Sequence, residues 1–510
     1  MEDKTRLHSD AKWTTLLLLI LLEETAGLEY ASYYQDHMVL QRAPQRALLW
    51  GYGRQIGDPV TVDVSGKGSV HTRIIKYTNG TGGVWQVKLP AVYDAGPFNI
   101  TAFSPEGNVS IDDVLFGDVW MCSGQTDMAF PMSKVTNSTN EIHRSAEYKD
   151  IRILKPKEYQ SATALDDLKG FDINWAAPSN ESLYNFSAIC WLFGEYLYSQ
   201  IRHPIGLIQV SFPEATHFSP ESSIPPIDQE SWNGMIYPLS HMVTYGIIWY
   251  QGSGNLKSDY NYGYDFIVMM SNIRSLYRSK TLNETSSSMP FGIVQMGPIT
   301  VPAYAGQAAD FRWSQSFDYG VVPNGRLTGA FMAVTTDLVD PQSPYGQDHP
   351  RCKQPVSARL VLGALNIAYG DKDVEFEGPY PNGITFVRNA TKLMRIQYNQ
   401  IIVVRSRSGF VFCCSSESSE KCYDTDKHIP APILFHDQTS VTISYADCGT
   451  DWVVGISYDW SGSPCEAYEQ CAIYSRDSGL PALPISTDGL GILGLLETIY
   501  LYPTGRQVVF

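Results

Sequence analysis

The sequence predicts an α/β protein: a central domain of alternating strands and helices, flanked by regions of short β-strands. Three observations predict it. Hydrophobic periodicity is two near both ends of the chain and changes to helical spacing in the middle. Short, wholly apolar runs separate the helical segments. The 510 residues suffice for about three domains, and an apolar fraction of 44% supplies a sizeable core.

The first 27 residues read as a signal peptide. Arg6 and Lys12 precede an apolar run from Trp13 to Leu22, and the small residues Ala26 and Gly27 follow. A run of about ten residues is short of the ~20 that a membrane span needs, so no stable span is expected. Residues 28–111 read as an N-terminal β domain. Val60, Val62 and Val64 alternate with Thr61 and Asp63, and Trp85, Val87 and Leu89 alternate with Gln86 and Lys88. From 112 to 370 the period changes. Ile189, Leu192, Phe193, Tyr196, Leu197 and Ile201 fall at helical spacing, as do Phe266, Met269, Met270, Ile273 and Tyr277, then Val356, Leu360, Ala364 and Ile367. The apolar runs Val114 to Met121, Ile205 to Val210, Gly246 to Tyr250 and Gly329 to Thr335 read as strands buried on both faces, hence a parallel sheet. Residues 371–488 return to short strands: Ile401 to Val404, the alternation of Val441, Ile443 and Tyr445, and Val453 to Tyr458. Residues 489–510 carry an apolar stretch broken by Glu497 and receive no assignment.

Charge and cysteine usage narrow the setting. A net charge of −16 without a long basic run argues against nucleic acid or an anionic membrane as the main partner. Asn-x-Ser/Thr acceptors stand at Asn79, Asn99, Asn108, Asn137, Asn180, Asn185, Asn283 and Asn389, as expected of a glycoprotein in the secretory pathway. Most of the nine cysteines crowd between Cys413 and Cys471, where oxidation would staple a loop-rich region. Nine is odd, so one thiol is left over, and no spacing suggests zinc.

Reactive groups of open α/β sheets sit in loops after strand C-termini. The first such loop, after Val114-Leu115-Phe116-Gly117-Asp118-Val119-Trp120-Met121, reads Cys122-Ser123-Gly124-Gln125-Thr126-Asp127-Met128. It resembles the nucleophile loop Ser-Gly-Gln-Ser-Asn-Met of the sialate O-acetylesterases, members of the Ser-Gly-Asn-His hydrolase superfamily. The resemblance spans nearly the whole chain after the leader. It continues through Ala188-Ile189-Cys190-Trp191-Leu192-Phe193-Gly194, His203-Pro204-Ile205-Gly206, Trp232-Asn233-Gly234-Met235-Ile236, Trp249-Tyr250-Gln251-Gly252 and His349-Pro350-Arg351.

The resemblance implies a three-layer domain of that superfamily and an esterase that removes O-acetyl groups from sialic acids or sialoglycans, with no cofactor and no metal. It implies a route through the secretory pathway, to lysosomes or outside the cell. It also sets out the site residue by residue. Thr126 occupies the nucleophile position, where its β-branch stiffens χ1 and crowds attack. Ser123 is a second hydroxyl nearby, at the strand end where it points elsewhere. On the second loop, relatives carry Gly-Gly-Thr where this chain has Phe212-Pro213-Glu214-Ala215-Thr216, so a glycine oxyanion donor is missing. On the third, Ser253 replaces a glutamate, and Asn255 keeps the oxyanion asparagine. His349 is the base, with Asp348 as its orienting carboxylate and Asp337 and Asp340 close in sequence. Cys352 is the candidate for the odd thiol. The expectation is therefore an esterase fold with a degenerate site, its activity weak or lost. The alternative is a non-catalytic secreted protein that binds glycans or other partners.

Overall fold

A computed structural model describes residues 27–510, except 79, 81, 126, 213–228, 253, 255, 257–261, 302–303, 388–391, 419–420, 424, 489, 491–497, 502–506 and 509–510. The signal-peptide reading of the leader lies outside the described residues.

The organising element is one strand of 18 residues, Gly107–Gly124 (β1). Its first half is amphipathic and pairs antiparallel with Phe98–Ser104, within an N-terminal set that includes Pro59–Val64 and Gly68–Arg73. Its second half, from Val114, is buried without interruption and enters the central sheet. The boundary read at 111/112 thus falls inside a continuous strand.

In that sheet β1 lies parallel between Ile205–Ser211 (β3) and Gly246–Tyr250 (β4). Ile151–Pro156 (β2) flanks β3, and Phe291–Val294 (β5) and Ala330–Ala333 (β6) continue beyond β4. A short antiparallel strand, Phe171–Ala176, closes the β2 edge. The strand order reverses on either side of β1, which places a crevice at its C-terminal end.

Helices cover both faces, as the uniform burial of the strands demands. Trp120, Cys122, Ile248 and Tyr250 face Ala188–Ile201 (α1) and Gln354–Gly363 (α4). Met121, Ile247 and Trp249 face Tyr262–Lys280 (α2), whose neighbour is Ala305–Gln315 (α3). The helices read from periodicity at 189–201, 266–277 and 356–367 are α1, α2 and α4, the last continued by a π-helical turn at Ala364–Ala368. α3, β2 and β5 were not anticipated.

The C-terminal region is antiparallel. Its six-stranded sheet takes in the last residues, where Thr498–Leu501 pairs with Pro381–Val387. The buried guanidinium of Arg312 on α3 holds this region to the central domain. It donates to the carbonyls of Met296 and Gly297 after β5 and to those of Ser461 and Gly462.

Disulfides join Cys413 to Cys422, Cys414 to Cys448 and Cys465 to Cys471, so the cysteine cluster staples the C-terminal region as expected. Cys122 and Cys190 form a further bridge, from the end of β1 to the first turn of α1, and Cys352 is the free thiol. The six described Asn-x-Ser/Thr asparagines, Asn99, Asn108, Asn137, Asn180, Asn185 and Asn283, are all exposed, while Asn79 and Asn389 lie outside the described residues. No described helix is long and apolar enough to cross a membrane.

The Cys122–Cys190 bridge closes a loop spanning 68 residues, for which chain entropy gives about 4 kcal/mol. Cys122→Ala with Cys190→Ala should lower unfolding stability by about that amount in non-reducing denaturant titrations. Cys352→Ala should leave it within about 1 kcal/mol.

Candidate active site

Three strand ends are stitched together at the crevice. Gln125 N–H donates to the Tyr250 carbonyl at 2.9 Å, and Phe212 N–H donates to the Gly124 carbonyl at 2.9 Å. Gly124 is required there. Its φ is +135°, and a Cβ would run into the Tyr250 carbonyl. The turn after β1 then closes through Met128 N–H to the Gln125 carbonyl. Thr126, Ser253, Asn255 and the second loop from Pro213 onward lie outside the described residues.

Ser123 is placed, and it is fully buried on the strand with its hydroxyl unpaired among the described residues. A nucleophile must meet its substrate, so this hydroxyl is set aside, as the sequence suggested. The third loop is anchored from below. Trp249 Nε1 and the Tyr262 hydroxyl donate to Gln251 Oε1, and Gln315 Nε2 donates to the Gln251 and Val294 carbonyls.

His349 arrives on the long loop after β6. That loop docks on the segment following the nucleophile turn: Thr136 N–H donates to the Arg351 carbonyl, and Gln354 Nε2 donates to the Thr136 carbonyl. Ser343 Oγ donates to the His349 carbonyl at 2.7 Å. These contacts bring His349 back to the end of β1 from more than 200 residues away in sequence.

The carboxylate beside the imidazole is that of Asp127. Its Oδ1 lies 3.4 Å from His349 Nδ1, longer than an optimal ~2.9–3.0 Å N–H···O bond but within ion-pair range. The same oxygen accepts from Lys353 Nζ at 2.7 Å, and the Lys353 side chain is completely buried. The ammonium also faces the rings of Phe130 at 4.8 Å and Tyr250 at 5.7 Å. Burial pushes the Asp127 carboxyl up, but Lys353 and His349 outweigh burial and hold it below the usual carboxylate range. Burial, reinforced by the Asp127 charge, pushes the Tyr250 phenol well up and keeps it neutral.

The acids expected near His349 are engaged elsewhere. Asp348 Oδ1 accepts from the Thr300 N–H at 2.9 Å and the Thr300 hydroxyl at 3.2 Å. Asp337 forms a buried pair with Arg359, and Asp340 pairs with Arg351. The Cys352 thiol is half-buried with Thr136 Oγ1 at 3.9 Å, and burial pushes its pKa up, which disfavours a reactive thiolate.

Asp127 and Lys353 were therefore missed. The signal was available: an acid stands where the family loop has asparagine, and an acid beside the buried Met128 and Phe130 needs a counter-ion. Two described clusters could approach a metal, Cys413 with Cys422 and His428, and Asp459 with Cys465 and Cys471. In each the sulfurs are spent in a disulfide, so neither offers a thiolate.

Comparison with known proteins agrees with this architecture. Residues 384–489 match the family model described as the sialate O-acetylesterase C-terminal domain. The chain is 34% identical over 504 residues to the sialate O-acetylesterase of Homo sapiens, covering 92% of this chain and 94% of that one. It is 35% identical over 534 residues to that of Mus musculus, covering 92% and 96%. A solved structure of a carbohydrate acetylesterase from Xanthomonas citri superposes with a TM-score of 0.73 at 22% identity, covering 90% of this chain and 99% of that one, and shares the fold. Relatives 34–35% identical over 92% of the chain establish that this chain belongs to the sialate O-acetylesterase family.

Proposed function

We propose that this protein is an O-acetylesterase of sialic acids or sialoglycans whose turnover is weak, because the nucleophile half of its site has eroded while the base half has been kept. The observation that carries the reading is His349. Its loop is held at the end of β1, and its imidazole sits beside an ionised carboxylate.

In this reading the Thr126 hydroxyl attacks the acetyl carbonyl as His349 takes its proton. His349 then returns the proton to the departing sugar oxygen, leaving the acetyl group on Thr126. Water, deprotonated by the same histidine, releases acetate. Asn255 and a backbone N–H at the nucleophile turn hold the oxyanion. No step requires a metal or cofactor.

Two features weaken it. The branched Cβ of Thr126 restricts approach, and a misplacement of ~1 Å costs ~100-fold. Pro213 has no N–H to offer where relatives place glycines, and one lost donor costs ~10²–10³ in turnover. The sequon pattern, the disulfides and the leader support a route through the secretory pathway, with glycans on the exposed asparagines.

The test uses protein from a secretory host on 9-O-acetylated sialic acid and on an aryl acetate. Slow wild-type turnover should be abolished by Thr126→Ala and by His349→Ala, and raised at least ~10-fold by Thr126→Ser. Turnover that survives both alanine variants would refute the assignment. Glycan binding with no turnover, even in Thr126→Ser, would favour the non-catalytic alternative.

A further inference from the structure

We infer that Asp127 has taken over the orientation of His349, and that buried Lys353 is the counter-charge that lets it do so. The orienting carboxylate then comes from the nucleophile turn itself rather than from the histidine's own loop.

The geometry is specific. Asp127 Oδ1 stands between two nitrogen partners, His349 Nδ1 at 3.4 Å and Lys353 Nζ at 2.7 Å. Asp348, the acid next to His349 in sequence, is turned to Thr300. The remaining charged neighbours are neutralised within their own loop, with Arg351 on Asp340. The nearby phenol of Tyr250 and thiol of Cys352 are held neutral by burial.

Each member of the group explains another. A lysine with no exposed side-chain surface is costly unless it is paired, and Asp127 is its partner. A carboxylate in the same enclosure would otherwise take up a proton, and Lys353 keeps it ionised. An ionised Asp127 within ion-pair range of Nδ1 favours the tautomer that carries its proton there, which assigns proton exchange to Nε2. Lys353 also cancels much of the Asp127 charge. His349 is thereby oriented without an unbalanced negative charge beside its ring. The substitution of Asp127 for the family's asparagine is thus a functional change paired with Lys353. It does not belong with the eroded positions.

This inference draws on the esterase reading for the histidine's purpose, but its test needs no turnover. Full-length protein labelled with ¹³C and ¹⁵N in histidine would be titrated by NMR, with the His349 signals identified by their loss in His349→Gln. The neutral wild-type imidazole should be the Nδ1–H tautomer. Asp127→Asn should lower the His349 pKa by about one unit, and Lys353→Met should raise it by about one unit, because the two neighbours carry opposite charges. A role confined to packing predicts no such opposition.

Should Asp127→Asn fail to fold with Lys353 unpaired, the double variant Asp127→Asn/Lys353→Met removes both charges. It should return His349 to the Nε2–H tautomer. An Nε2–H tautomer in the wild type, or a His349 pKa that moves by less than ~0.2 units in both single variants or in the double variant with its tautomer unchanged, would overturn the inference. A correct titration with no esterase activity would uphold the positioning role and refute only the proposed turnover.

Discussion

The fold depends on a single strand that serves two parts of the molecule. Gly107–Gly124 begins as a half-exposed member of the N-terminal β region and ends as the innermost strand of the parallel sheet. Its C-terminal end cannot move independently. Gly124 lies against the Tyr250 backbone, and Cys122 is bonded to α1. The nucleophile turn is therefore launched from a point fixed by two strands, a helix and the N-terminal region at once. The catalytic geometry of such a site is set by the rigidity of this scaffold more than by the loops themselves.

Much of the fold is legible from sequence where burial is one-sided or complete. Val60, Val62 and Val64 show one-sided burial, and the unbroken apolar runs that become β1, β3, β4 and β6 show two-sided burial. β2 is hidden because Arg152 and Lys155 interrupt its apolar run. The structure satisfies Arg152 with Asp113 and with the Lys149 carbonyl, so a charged residue can occupy a buried strand. β5 has only four residues and a glycine, too few to establish a period. α3 carries little apolar surface of its own, and it is held by Arg312, whose four carbonyl partners are distant in sequence.

The site divides in the same way. Motif matching locates His349 and names Thr126, because the family fixes those positions along the chain. It does not reveal Asp127 as a partner of His349, since the contact joins loops more than 200 residues apart and depends on Lys353 at the entrance to α4. Proximity in sequence suggested Asp348, and the backbone turn at His349 sends that carboxylate to Thr300 instead. Within the described residues, His349 lies beside an ionised Asp127 that is paired with the buried Lys353.

Covalent labelling with a fluorophosphonate probe, followed by peptide mapping, reports on the nucleophile alone. If Thr126 is the nucleophile and His349 its base, the wild type should label slowly and only at position 126, Thr126→Ser should label markedly faster, and His349→Gln should not label. Rapid labelling of the wild type at another residue, Ser123 or Cys352 included, at a rate indifferent to Thr126→Ala, would contradict it.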